Sequence, residues 1–130
     1  LLFLLYIYLS IIYFSMNKSI QIKNIDIENI IWVIYIIIIL LALLSNYYEK
    51  NSIVNNNYQD GIDSKNINIF IFIVLVIIYL YFLNNSYNQY RNNPSDINYT
   101  NLMANIFNVI GGFTFLYVAI NANVDSNIDI

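Results

Sequence analysis

Ile, Leu, Val, Phe and Tyr follow one another almost without a break in three stretches that carry no charge: Asn29 to Tyr48, Asn66 to Tyr90 and Ile97 to Val124. Odd and even positions are equally apolar in these runs. A membrane strand would instead alternate apolar and polar residues over some ten positions, and with three Gly and one Pro the chain has little hairpin punctuation. The runs predict helices. At about 1.5 Å of rise per residue, the shortest makes a rod about 30 Å long, which is the thickness of bilayer hydrocarbon. In that solvent each backbone group must be bonded within its own segment, and this overrides the strand preference of Ile, Val and Tyr.

The pattern therefore predicts an all-α fold, a small polytopic integral membrane protein with one membrane domain. Spans are expected at about 29–47, 67–86 and 102–121, joined by polar loops at 48–66 and 87–101 and followed by an acidic tail at 122–130. The uninterrupted apolar cores are shorter than a full span, and uncharged Asn, Ser and Tyr extend each one toward the headgroups. Trp32, Tyr47 and Tyr48 stand where an aromatic belt would place them. Residues 69–83 alone sum to roughly −5 kcal/mol on an insertion scale, enough to insert unaided.

Two connections read as turns rather than domains. One holds Asn55-Asn56-Asn57 and Asp60-Gly61, and the other holds Asn92-Asn93-Pro94-Ser95. The apolar segment at 1–15 is separate from the three main runs. It is either a fourth span cut short or the product of a reading frame extended ahead of Met16, and three spans are the expectation without it.

The third run is the weakest, since Asn105, Asn108, Thr114 and Gly111-Gly112 offset much of its apolar content. Such a segment is held by its neighbours. Ala104, Asn108 and Gly112 recur every four positions on one helical face, and with Gly111 they form the candidate helix-packing set. Small residues let helix backbones approach, and an amide can bond across the contact. The alternative for the same face is a polar lining around a small solute path.

Charge decides what overall hydrophobicity leaves open. Charged residues are 10% of the chain against the usual quarter, and they lie between the runs. Without His or Cys there is no disulfide framework, no ordinary zinc site, no Cys nucleophile and no Ser-His-Asp arrangement. Asp60 and Asp63 lack the ligand pattern of a calcium loop, and Gly111-Gly112 has no following Lys to make a phosphate cradle. The three main runs contain no ionisable acid or base, which disfavours a self-sufficient ion pump or proton-coupled carrier.

A net charge of −3 with five dispersed basic residues disfavours nucleic acid and anionic-lipid recognition. No catalytic residue, cofactor, metal site or small-molecule substrate is identifiable, so an enzyme is not expected. Partners are expected to be membrane lipids, a second copy of the chain or a larger membrane complex. Asn-x-Ser/Thr triplets at Asn17, Asn84 and Asn98 are weak signals in so Asn-rich a chain. The functional expectation is a structural or accessory membrane component, with an oligomeric pore or transport component as the alternative.

Lys18, Lys23 and Arg91 outnumber Lys50 and Lys65, so the positive-inside bias places 16–28 and the Arg91 connection in the cytoplasm. Single cysteines at Ser19 and Asn92 should then resist an impermeant thiol reagent in intact cells, while one at Asn55 should react. The reverse pattern would invert the threading.

Overall fold

The computed structural model describes residues 1–13 and 18–124, with side chains for 1–7 and 18–124. Four helices account for nearly all of them: α1 (Leu2–Tyr13), α2 (Lys18–Val54), α3 (Tyr58–Asn92) and α4 (Asp96–Asn121). There is no strand among the described residues, and the all-α class read from the sequence is the one observed. By length and composition, α2, α3 and α4 are each long and apolar enough to cross a membrane. The 12 residues of α1 make a rod of only about 18 Å. Met16 and most of the acidic tail, with Asp125 and Asp129, lie outside the described residues.

The long helices run well past the apolar runs. With 37 and 35 residues, α2 and α3 extend for about 55 and 52 Å, against about 30 Å of bilayer hydrocarbon. This corrects the loops expected at 48–66 and 87–101, which are helical for most of their length; the chain leaves helix only at 55–57 and 93–95. Extending a helix already nucleated in the apolar run costs far less than starting one. The Asn-rich ends are also tied locally, as Gln59 Nε2 donates to Asp63 Oδ1 at 3.1 Å and the Asn51 amide bonds the Asp60 carboxylate across the turn.

Residues at the two turns suit their positions. Asn56 takes a φ of 53°, a left-handed conformation that Asn tolerates through local hydrogen bonding. Asn57 then caps α3 by accepting the Asp60 N–H at 3.2 Å. At the other end Pro94 cannot continue α3 and forces Asn93 out of helical geometry. Ser95 restarts the chain, its hydroxyl accepting the Asn98 N–H at 3.2 Å at the head of α4.

The main packing is α2 against α3 and α3 against α4. Buried positions recur every seventh residue: Ile31, Ile38, Ser45 and Ser52 on α2, Ser64, Ile71 and Ile78 on α3, and Asn98, Asn105, Gly112 and Ala119 on α4. Seven residues fall short of two full turns by about 20°, so each seam winds slowly and keeps facing its neighbour, the geometry of left-handed helix packing. Helix α1 lies against α2, with Tyr6 edge-on to Trp32 at 5.6 Å between centroids and Leu5 against the Ile-rich core.

Two contacts fix the register between α2 and α3. Ser45 is fully buried and lies 2.8 Å from Asn68 Oδ1 and 2.9 Å from Ser64 Oγ. A hydroxyl has one hydrogen to give; it satisfies all three groups by donating to Asn68 while accepting from Ser64. One heptad on, Ser52 faces Gly61, where an added Cβ would come within 3.5 Å of the serine oxygen. Ser45→Ala is expected to lower the stability of the bundle by about 0.6–2 kcal/mol, read as reversible unfolding in mixed micelles. The control Leu40→Ala, on the outward face, should change it by less.

Candidate functional site

The interior of the bundle mixes polar side chains with a small apolar cluster, and much of its exterior is apolar. The largest fully buried side chains are Glu28, Asn105, Ser45 and Ser86, while Ile37, Leu40, Ile77, Phe107 and Tyr117 are exposed. Serines at the interior are bonded: Ser45 reaches α3, and Ser86 Oγ donates back to the Leu83 carbonyl at 3.0 Å. One group of larger polar side chains is not satisfied in this way.

That group lies toward the end shared by the start of α2, the end of α3 and the start of α4. Glu28 is 1% exposed, Gln89 4%, Asn101 6% and Asn105 0%. Neither oxygen of Glu28 has a hydrogen-bond partner, nor does either end of the Gln89 amide, nor Asn101 Nδ2, nor Asn105 Oδ1. An unpaired buried polar atom costs about 1–3 kcal/mol, and more when charged. With Asn85 Nδ2 and the hydroxyls of Tyr35 and Tyr81, which are also buried without a partner, these four side chains mark a place where the fold tolerates cost.

Helix register sets Glu28, Asn101 and Asn105 near one level and Gln89 more than a turn further toward the connection between α3 and α4. The Ser45–Ser64–Asn68 and Ser52–Gly61 contacts, followed antiparallel along α2 and α3, set Glu28 opposite the turn that holds Tyr81 and Asn85. The Glu28 carboxylate is within electrostatic reach of the Tyr81 hydroxyl. On the other side, Asn98 Nδ2 donates to the Gln89 carbonyl at 3.4 Å, and Phe72 stacks on Phe115 at 5.5 Å. The same antiparallel register places Asn101 and Asn105 level with the turn from Phe82 to Ser86. Asn105 Nδ2 donates to the Asn101 backbone carbonyl at 3.0 Å and to Asn101 Oδ1 at 3.4 Å, and the second bond joins the two amides on α4.

Glu28 stands one residue ahead of the first charge-free run, and a charge at that boundary reads in sequence as solvated. The structure buries it because it lies three residues before Ile31 and therefore on the seam toward α3. The charge-free runs themselves hold no acid or base, and the acid sealed inside the bundle lies one residue outside the first of them.

The residues singled out on α4 fall in different places. At Gly112 a Cβ would meet the Tyr79 ring at 2.9 Å and Val76 Cγ2 at 3.2 Å, so α4 and α3 approach too closely there for a side chain. Gly111 faces open space, with nothing within 4 Å. Ala104 and Asn108 line a cavity of about 810 Å³ between α1 and α4, together with Leu1, Leu4, Asn101 and Phe107. A stride of four residues drifts about 40° around a helix, whereas a stride of seven drifts about 20° the other way. Gly112 is where the two strides cross, and Asn98, Asn101 and Asn105 are the interior residues that the four-residue reading passes over. The Asn98 amide, in one of the Asn-x-Ser/Thr triplets, is buried and donates to the Asn93 carbonyl at 2.7 Å. Asn17 lies outside the described residues.

No protein-family model matches the chain, and neither curated proteins nor solved structures contain a significant match to it. The site is therefore read from its own chemistry. It offers hydrogen-bond acceptors, amide donors and one carboxyl group in a place closed to water.

Gly112→Val is expected to cost about 1–3 kcal/mol by forcing Tyr79 and Val76 aside. Gly111→Ala should be neutral or stabilising by up to about 1 kcal/mol, since it removes backbone freedom without a clash. Unfolding of the two variants under identical micelle conditions checks the pair; equal effects would mean that α4 does not meet α3 at Gly112.

Proposed function

We propose that the chain is a small multi-spanning membrane protein with a structural or accessory role, held among lipids and packed against other membrane helices or a second copy of itself. The observation that carries this reading is the inverted distribution of polarity. In water, an exterior with Ile36, Ile37, Leu40, Ile77, Phe113 and Tyr117 exposed around serine, asparagine and glutamate would place apolar surface in the costly position and amides in the dry one. In lipid the same arrangement is the low-energy one, because polar groups find partners only inside.

Helix lengths support the reading, as α2, α3 and α4 each contain a window apolar enough to span. The reading includes no catalysis, since a chain without His or Cys lacks the commonest nucleophile and acid-base arrangements. A second reading, a subunit of an oligomeric pore or transport assembly, draws support from the sealed Glu28, since ionisable groups held in a membrane bundle mark solute or ion paths more often than packing.

Alkaline carbonate washing of membranes expressing the full chain tests the first step: the protein should stay in the pellet, and release as a folded soluble species would overturn membrane residence. Reconstitution into dye-loaded vesicles separates the two roles. The accessory role predicts intact vesicles at all protein densities, and density-dependent leakage would replace it with the pore.

A further inference from the structure

We propose that the groove between α1 and α4 is where a second copy of this chain docks, its own α4 lying parallel to the first along a seam of Ile97, Asn101, Ala104, Asn108 and Gly111. The pairing rests on the accessory role proposed for the chain and names its partner.

The seam follows from helix geometry. Interior positions of α4 recur at Asn98, Asn105 and Gly112, and a second set, spaced alternately by four and three residues from Ile97 to Gly111, lies about a quarter turn around the helix from them. Four of its members, Ile97, Asn101, Ala104 and Asn108, line one cavity of about 810 Å³ that has leucines of α1 on its opposite wall. Gly111 continues the line, and a Cβ added there would meet nothing within 4 Å. The strip is thus open over about 21 Å of helix. Small residues at Ala104 and Gly111 let another backbone come close, which is how helices associate in lipid.

Amides decide what fills the groove. Asn101 is 6% exposed and its Nδ2 has no hydrogen-bond partner, while its Oδ1 accepts from Asn105 at 3.4 Å. A donor is therefore held at the groove with nothing to receive it. Asn108 lines the same groove about 10 Å further along, within the apolar run. A lipid brings acceptors at its headgroup and ester level and only hydrocarbon below, so it satisfies one of these depths and leaves the other dry. A helix with amides seven residues apart meets both, and α4 of a second copy is such a helix. Because an amide carries both a donor and an acceptor, each Asn can pair with its own counterpart. Asn at this position of a seven-residue repeat also fixes register and the number of strands.

Symmetry and charge agree with the pairing. Two copies threaded the same way through one membrane are related by a two-fold axis along its normal, which makes their α4 helices parallel and brings each seam residue to itself. The one charged residue of α4, Asp96, lies about 100° around the helix from Ile97. No charge enters the seam.

The chain has no Cys, so single cysteines in the full chain report on the contact in membranes. Ile97→Cys, Ala104→Cys and Gly111→Cys should form disulfide-linked dimers on mild oxidation. Phe113→Cys and Tyr117→Cys, exposed on the opposite side of α4, should not. Energy transfer between donor- and acceptor-labelled copies in phosphatidylcholine vesicles should give a dimer dissociation constant that Asn108→Leu raises by about three- to thirtyfold. The proposal is overturned if the inserted chain is monomeric at every protein-to-lipid ratio, if all five cysteines cross-link equally, or if Asn108→Leu pairs as tightly as the wild type. A monomer that retains one phospholipid in native mass spectrometry overturns it in favour of lipid in the groove. A carbonate-resistant monomer removes the pairing and leaves the accessory role standing, whereas vesicle leakage with the seam cross-links intact removes that role and leaves the pairing.

Discussion

Close approach of three long helices along seams that repeat every seventh residue is the constraint on which the rest of this structure depends. Small or slender side chains occupy the seams where approach is tightest: Ser45 and Ser52 on α2, Gly61 and Ser64 on α3, and Gly112 and Ala119 on α4. Dispersion between backbones at short distance, plus a few hydrogen bonds such as those around Ser45, supplies the cohesion. A larger apolar core is not needed, and the buried apolar residues among those described are few: Ile31, Ile38, Ile71, Val76, Ile78, Phe82 and Ala119.

Once the seams are tight, polarity follows a rule opposite to that of a water-soluble bundle. Several Ser and Asn side chains turn inward beside a few Ile, Val and Phe, while most Ile, Leu and Phe turn out. The two ends of the bundle obey this rule differently. Around Ser45 every hydroxyl and amide in the contact can be satisfied at once. Around Glu28 the groups outnumber their partners. One end is consistent with pure cohesion and the other is not, and this asymmetry separates packing from candidate function within one fold.

Helix type and the number of long helices were legible because each charge-free run is apolar on every side, a property that no other secondary structure accommodates at that length. The extent of α2 and α3 was not, because Asn-rich ends such as 48–54 and 58–66 have weak propensity of their own and are helical through propagation, caps and contacts between helices. Gly112 was legible as a small residue on a repeating face. Asn105 was not, since in sequence it counts only as a loss of hydrophobicity, and its meaning comes from a seven-residue period shared with Asn98 and Ala119. Glu28 was hidden by its address at the border of a run, where burial depends on which side of the helix a neighbour covers.

The central place of α3 has a mechanical consequence. Both α2 and α4 pack chiefly on it, so it acts like the middle wheel of a gear train: any twist about its axis must displace the serine contact on one flank and the glycine contact on the other. Removing a single residue from its middle would turn one half by about 100° relative to the other, and neither neighbour could follow without losing its own grip.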